Sequence, residues 1–293
     1  MDLNTFIISV FCVVDDWLTT QKKLRQRGPN PDLADSEVLT MEIVGEFLGI
    51  DTERGLYAYF RRHYAAGWFP ALSKIHRTTF TRQAANLWAV KEKLWKHLLS
   101  RIHFDPEVSL IDSSPMPTCR FARAYRCRRL AEESAFGFDE MSKQTFYGLR
   151  AHLRVCWPGV IVEVDLAPAN AHDLRLAEEL LEDAKGWTLG DRNYWSPDLA
   201  QWLEDEGLYL LAPYKSKKKE KEPWPRWLTQ KRRRIETVIS QLVERYRAKK
   251  VWARDRWHLT SRFLRKVLSH TMAVYFCQQV GLSPLRFAEL LTD

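Results

Sequence analysis

The chain has 293 residues, 45% of them apolar, which is enough to bury a sizeable core and excludes a wholly disordered segment. Its 45 Lys and Arg against 37 Asp and Glu leave a formal charge of +8, which implies an anionic partner, although charge alone does not choose between nucleic acid and anionic membrane. Five scattered cysteines with no Cys-x-x-Cys pair argue against a disulfide framework and a zinc site; Cys119 and Cys127 are near in sequence but have no second ligand pair at metal spacing.

In chain order, the first apolar run, Thr5 to Val14, is too short to cross a bilayer. It ends at Asp15 and Asp16 and lacks the basic start and cleavage site of a signal peptide, so a soluble intracellular chain with no membrane partner is expected. Helical spacing predicts a first helix over Leu3 to Leu18 and a second that starts from Asp35 or Ser36 as N-cap and stops at Gly49. A third is expected over Arg54 to Tyr64, and a fourth over Thr78 to Leu99, with Phe80, Ala84, Leu87, Val90, Leu94 and Leu98 on one face. Residues 1–104 therefore read as an all-α domain, and its aromatics read as core.

From residue 105 to 293 the pattern is mixed. VSLID is a short apolar strand, and HLRVCW and VIVEVDLA flank Pro158-Gly159 as a hairpin. A helix over His172 to Asp183, a buried strand at WTLGD, a helix over Pro197 to Glu206, a strand at LYLLAP and a long amphipathic helix follow. The order implies an α/β fold in which a mixed sheet is flanked by helices.

Three acids stand out: Asp112, Asp191 and Glu236. The first two end apolar runs that read as buried strands, and the third lies on a helix that begins among arginines. Three carboxylates suit two Mg2+ ions, hard cations that take oxygen ligands. Held roughly 3.5–4 Å apart, such ions clamp a scissile phosphate between attacking and leaving oxygens. Each acid also has a structural reading. Asp112, before Ser113, Ser114 and Pro115, could cap a turn at a strand end; Asp191 could stabilise an Asx turn; Glu236 could form a surface ion pair with Arg232 one turn earlier. The apolar stripe Ile235, Val238, Ile239, Leu242 and Tyr246 puts Glu236 on its border.

The blocks IDSSPMPTCR, FYGLRAHLRV, LAPANAHD, LGDRNYW and RRRIETVISQLVERY resemble those of insertion sequence 982 family transposases, and Thr81-Arg82 to Trp88 echoes a further one. The resemblance covers nearly the whole chain. It implies a ribonuclease H-like catalytic domain at 105–293, with C-terminal helices, and assigns the metal-binding and catalytic triad to Asp112, Asp191 and Glu236. Where the related superfamily carries tyrosine, arginine and lysine around the last acid, this chain has Thr229, Arg232 and Val243, with Lys249 or Lys250 as loose substitutes for the lysine.

The implied activity is cleavage of an insertion sequence's ends and joining of their 3′-hydroxyls to target DNA. The implied cofactor is a pair of Mg2+ ions, with Mn2+ able to substitute, and the partners are double-stranded terminal inverted repeats and target DNA. A homodimer on DNA, in a bacterial or archaeal cytoplasm and at the nucleoid when bound, is the implied working form, and the helical domain would serve DNA-end binding or dimerisation. DNA contacts are expected from Arg120 and Arg123, in a basic run to Arg129 that includes Phe121 and Tyr125; from Lys217, Lys218 and Lys219; and from Lys231, Arg232, Arg233 and Arg234. Arg192, Tyr194 and Trp195 form a candidate stacking group beside Asp191, and Asn170 and His172 are further candidate contacts. Asp165 and Asp173 are acids near the pocket, the second expected in a supporting role at a helix start.

Overall fold

The change of periodicity near residue 100 is reproduced in a computed structural model, which describes residues 1–22, 29–214 and 224–292. In chain order the helices are α1 (Leu3–Thr20), α2 (Asp35–Phe47), α3 (Glu53–Tyr64), α4 (Arg77–Asn86), α5 (Trp88–Leu99), α6 (Asp173–Leu181), α7 (Pro197–Asp205), α8 (Arg226–Glu244) and α9 (Arg256–Gln279). The strands are β1 (Asp105–Pro117), β2 (Ala135–Asp139), β3 (Gln144–Trp157), β4 (Val160–Pro168), β5 (Gly186–Leu189) and β6 (Leu208–Leu211). They form two units: Met1–Ile102 with Glu244–Ala248 and Asp255–Asp293, and His103–Val243 with Lys249–Arg254.

The helical unit departs from expectation in three places. First, α1 is an 18-residue helix, long and apolar enough to cross a membrane by length and composition alone. It contains the helix expected over Leu3 to Leu18 and runs through Asp15 and Asp16, with Asp16 on the exposed side while Phe6, Ile7, Val10, Val14 and Trp17 are buried. Second, the helix expected over Thr78 to Leu99 breaks at Leu87, whose ψ of 13° leaves the helical region.

Third, α9 belongs to this unit rather than to the one with the strands, where the C-terminal helices were expected. The cause is a buried charge network. On α2, Glu42 accepts from Lys91 Nζ at 2.8 Å; Glu46 accepts from Arg265 and, at 2.8 Å, from Lys266 Nζ. All five of these side chains are almost fully buried, so each charge must be paired for α9 to seat on α2 and α5.

The second unit is built on a six-stranded sheet in the order β2-β3-β1-β5-β6, with β4 also on β3. Antiparallel pairing of β1 with β3 places Asp112 opposite Leu153, and parallel pairing of β1 with β5 places Leu110 opposite Leu189. β1 is much longer than the expected VSLID and runs on to Pro117. Gly148 on β3 allows that close approach, because a Cβ there would stand 2.3 Å from the Met116 carbonyl oxygen and 2.8 Å from the Thr118 nitrogen. Beneath the sheet, Ile111, Ala177, Leu181, Tyr194, Leu199, Leu203, Leu208 and Leu210 form one apolar cluster that fixes α6 and α7 on it.

Candidate active site

Asp112 lies inside β1, not at its end, so the turn-cap reading of this residue does not apply. Its Oδ1 accepts from the Ser113 N–H at 2.8 Å. Burial, and then the neighbouring Asp191 charge, push its carboxyl up to about 7 against the pull of the Ser113 N–H and the Arg232 guanidinium.

Asp191 follows Gly190, whose N–H donates to the Leu211 carbonyl at 2.9 Å and so carries the sheet's register to the site. The Asx reading of Asp191 is correct: Oδ1 accepts from the Asn193 N–H at 2.9 Å and caps the short 3₁₀ turn Arg192–Tyr194. This turn fixes the carboxylate while leaving it acceptor capacity. Burial is the largest cause raising the Asp191 carboxyl; the Asn193 N–H opposes it, Asp173 adds to it, and Arg232 opposes it in turn.

Glu236 sits on α8, exposed, and accepts from Arg232 at 2.7 Å, so its ion-pair reading also holds. Arg232 is thus the group that acts on both aspartates while bonding to the third acid. Among the described residues, no group of three or more His, Cys, Asp or Glu is arranged to hold a metal ion. The donor chemistry of the aspartate pair nevertheless fits a hard divalent cation: burial raises the proton affinity of both carboxyls, the Asp191 charge adds to that of Asp112, and Arg232 is a cation acting on both. Glu236 would join them by leaving Arg232.

One further buried acid acts on this pair. Asp173, the first residue of α6, is buried and acts electrostatically on Asp112, Asp191 and Tyr194. Its Oδ1 lies 3.7 Å from His152 Nδ1, too far for a hydrogen bond. Burial lowers the proton affinity of His152, and the nearby Asp173 and Asp165 charges do not offset it. Arg150, which no spacing rule singled out, donates to Ser113 Oγ at 3.1 Å and to the Phe138 carbonyl at 2.6 Å, tying β2 to the residue after Asp112.

The expected DNA contacts divide. Arg120, Arg123, Arg233, Asn170 and His172 are exposed, and His172 also caps α6. Lys231 and Arg234 lie over the Trp157 ring, at 3.6 Å and 5.1 Å from its centroid, and Arg192 donates to the Tyr214 carbonyl. Trp195 packs against Tyr214 at 4.4 Å between ring centroids. Tyr194 contradicts the stacking expectation: it is fully buried in the apolar cluster, its ring seated on Gly190, where a Cβ would stand 2.8 Å from the Tyr194 Cβ. Lys217, Lys218 and Lys219 lie outside the described residues. Lys249, one of the two loose substitutes for the superfamily lysine, is paired with Asp139 at 2.9 Å.

Residues 105–254, half of the chain, match the profile of the family described as Transposase DDE domain. The chain belongs to that family. Its fold is similar to that of the piggyBac transposase in a cryo-EM structure of the synaptic complex with hairpin DNA, at 12% identity and a TM-score of 0.50 over 97% of this chain and 76% of that one. No curated protein matches.

Proposed function

We propose that the chain is a DNA transposase that cuts the ends of its own element and joins the resulting 3′-hydroxyls to target DNA, with Asp112, Asp191 and Glu236 as its metal-binding acids. The observation that carries this reading is the conjunction of two buried carboxyls, Asp112 raised by the charge of Asp191, with an arginine that acts on both and bonds to Glu236. When bound there, a pair of Mg2+ ions supplies an activated water or hydroxyl and a counter-charge for the leaving oxygen. Mn2+ offers a similar oxygen-ligand chemistry.

The chain's own residues do the positioning. β1 and the Ser113 N–H fix Asp112, and the Asx turn fixes Asp191. Such anchoring suits in-line transfer, where small misplacements are costly. Arg232 is released when Glu236 turns to the pocket, and its planar fork is then free to take a phosphate oxygen pair. The exposed Arg233 and the basic residues near Arg120 add phosphate contacts to double-stranded terminal repeats and target. Bringing two ends together calls for two protomers, so the working form is a homodimer on DNA. The helical unit is the candidate for end binding or for holding the copies together.

The experiment is magnesium-dependent cleavage of a plasmid carrying the element's ends, followed by end joining, with wild type and Asp112→Asn compared. Cleavage lost at unchanged DNA binding supports the enzyme. Unchanged cleavage in the variant would leave a DNA-binding regulator on a nuclease fold, and nicks without inserted ends would leave a structure-selective nuclease.

A further inference from the structure

A second surface of the same unit carries chemistry that the acid pocket does not use. The segment from Arg120 to Arg129 holds five arginines, Arg120, Arg123, Arg126, Arg128 and Arg129, all exposed, and no acid lies between Asp112 and Glu132. Among the described residues none of the five guanidiniums has an ion-pair partner.

Aromatic rings stand among them. Tyr125 is 87% exposed, Phe121 48% and Phe136 41%. Phe136 is the hub: its ring centroid lies 5.4 Å from Tyr125, 6.3 Å from Phe121 and 5.0 Å from Tyr147. Alternation along β2 puts Phe138, also exposed, on the same face as Phe136. A run of solvent-facing rings on one strand face is costly to leave in water and is a mark of an interaction surface.

We infer that this aromatic face is a stacking platform for unpaired deoxynucleotides, with the surrounding arginines holding their phosphates. It rests on the proposed action on DNA and specifies the state of that DNA. Three features favour this occupant. Five unpaired cations match a polyanion. Exposed rings offer a π-face to a base, whereas bases inside a duplex are already stacked on each other. A second copy of this face is disfavoured, because two-fold pairing would set the same five arginines against themselves.

The platform is also wired to the cutting site. Arg150 ties the Phe138 carbonyl of β2 to Ser113, next to Asp112. Nucleotides unpaired beside the scissile bond could therefore be held while the acids act on the phosphate.

The experiment measures fluorescence anisotropy of the full chain with labelled oligo(dT) and with a blunt duplex of equal length, in EDTA so that no cutting intervenes. The variants are Phe121→Ala/Tyr125→Ala/Phe136→Ala together, and Tyr125→Ala alone as one that cannot disturb the core. The expected result is a loss of oligo(dT) affinity of about tenfold or more in the triple variant and a smaller loss in the single one, with duplex affinity held within about threefold. Tyr125→Trp should restore oligo(dT) binding. Equal losses on both DNAs, or oligo(dT) affinity unmoved in Tyr125→Ala, would overturn the platform. Dissociation of a dimer by the triple variant in sedimentation equilibrium would instead assign the face to a second copy and overturn it likewise. Duplex binding and metal-dependent cleavage retained by the variants would leave the transposase reading standing; loss of the platform alone is therefore distinguishable from loss of the enzyme.

Discussion

Arg232 donates to Glu236 at 2.7 Å on α8 while its charge pulls on both Asp112 and Asp191. One guanidinium thus bonds to one of the three acids and acts electrostatically on the other two. The half-exposed pair it makes with Glu236 is weak, on the order of 0.3–0.5 kcal/mol, so its exchange for a stronger ligand set is energetically easy.

From that weakness comes a separation of stability from activity. Glu236→Gln is expected to shift the denaturation midpoint negligibly, by less than about 0.5 kcal/mol, and to reduce magnesium-dependent cleavage by a factor of about a hundred or more. Chemical denaturation and plasmid nicking on the same preparation check this. A variant that keeps full cleavage would remove Glu236 from the triad.

Asp112 gives the pocket a pH signature. Its folded-state carboxyl sits at about 7, above the ordinary 3.8, so the fold favours the protonated form. This contribution to stability is fully present below about pH 3.8 and is lost as pH rises through about 7. Unfolding midpoints of the metal-free protein should therefore fall between about pH 5 and about pH 8, the fall should be smaller in Asp112→Asn, and at the upper end that variant should be the more stable by roughly 1–3 kcal/mol. Added Mg2+ should restore much of the loss in wild type and little in the variant. A wild-type slope equal to that of Asp112→Asn would count against the raised carboxyl.

The sequence made Asp112 and Asp191 legible because each follows an apolar run, but it misjudged what surrounds them. β1 outruns VSLID because Ser113, Ser114 and Pro115 look like a turn, while pairing with β3 across Gly148 keeps them extended. β2 was missed because AFGFD is short and interrupted by a glycine, and its partner was already assigned to a hairpin. Tyr194 looked like a surface aromatic beside Arg192 and Asn193; only the 3₁₀ turn reveals that the chain tucks it under the sheet. The membership of α9 in the helical unit was hidden for a simpler reason. Glu46 and Lys266 are 220 positions apart, and no local pattern signals so distant a pairing.

Tyr194 makes a sharp contrast between packing and binding. Its hydroxyl is buried and has no hydrogen-bond partner among the described residues, facing the Asp173, Asp112 and Asp191 charges. Removing an unsatisfied buried hydroxyl costs little, so Tyr194→Phe should leave stability unchanged or raised by about 1 kcal/mol, whereas Tyr194→Ala should cost about 3–5 kcal/mol. Duplex affinity should not change in Tyr194→Phe. A marked loss of DNA binding there would return the residue to the surface.

In the helical unit, Glu46 is the acid whose loss should be felt most. Glu46→Ala leaves Lys266 buried without its carboxylate and deprives Arg265 of its closest partner. The expected cost is about 3–5 kcal/mol by urea denaturation. The double variant Glu46→Leu/Lys266→Met, which removes both charges, should recover most of it; no recovery would show that the pair is not the reason α9 sits there.

The central claim is that Asp112, Asp191 and Glu236 bind divalent cations together when DNA is engaged. Crystallography of the DNA-bound chain with Mn2+, using anomalous difference density, addresses it most directly. The account expects Mn2+ density within ligand distance of all three carboxylates, with Arg232 turned from Glu236 toward a phosphate. Density bound by the aspartates alone, with Glu236 still held by Arg232, would contradict it.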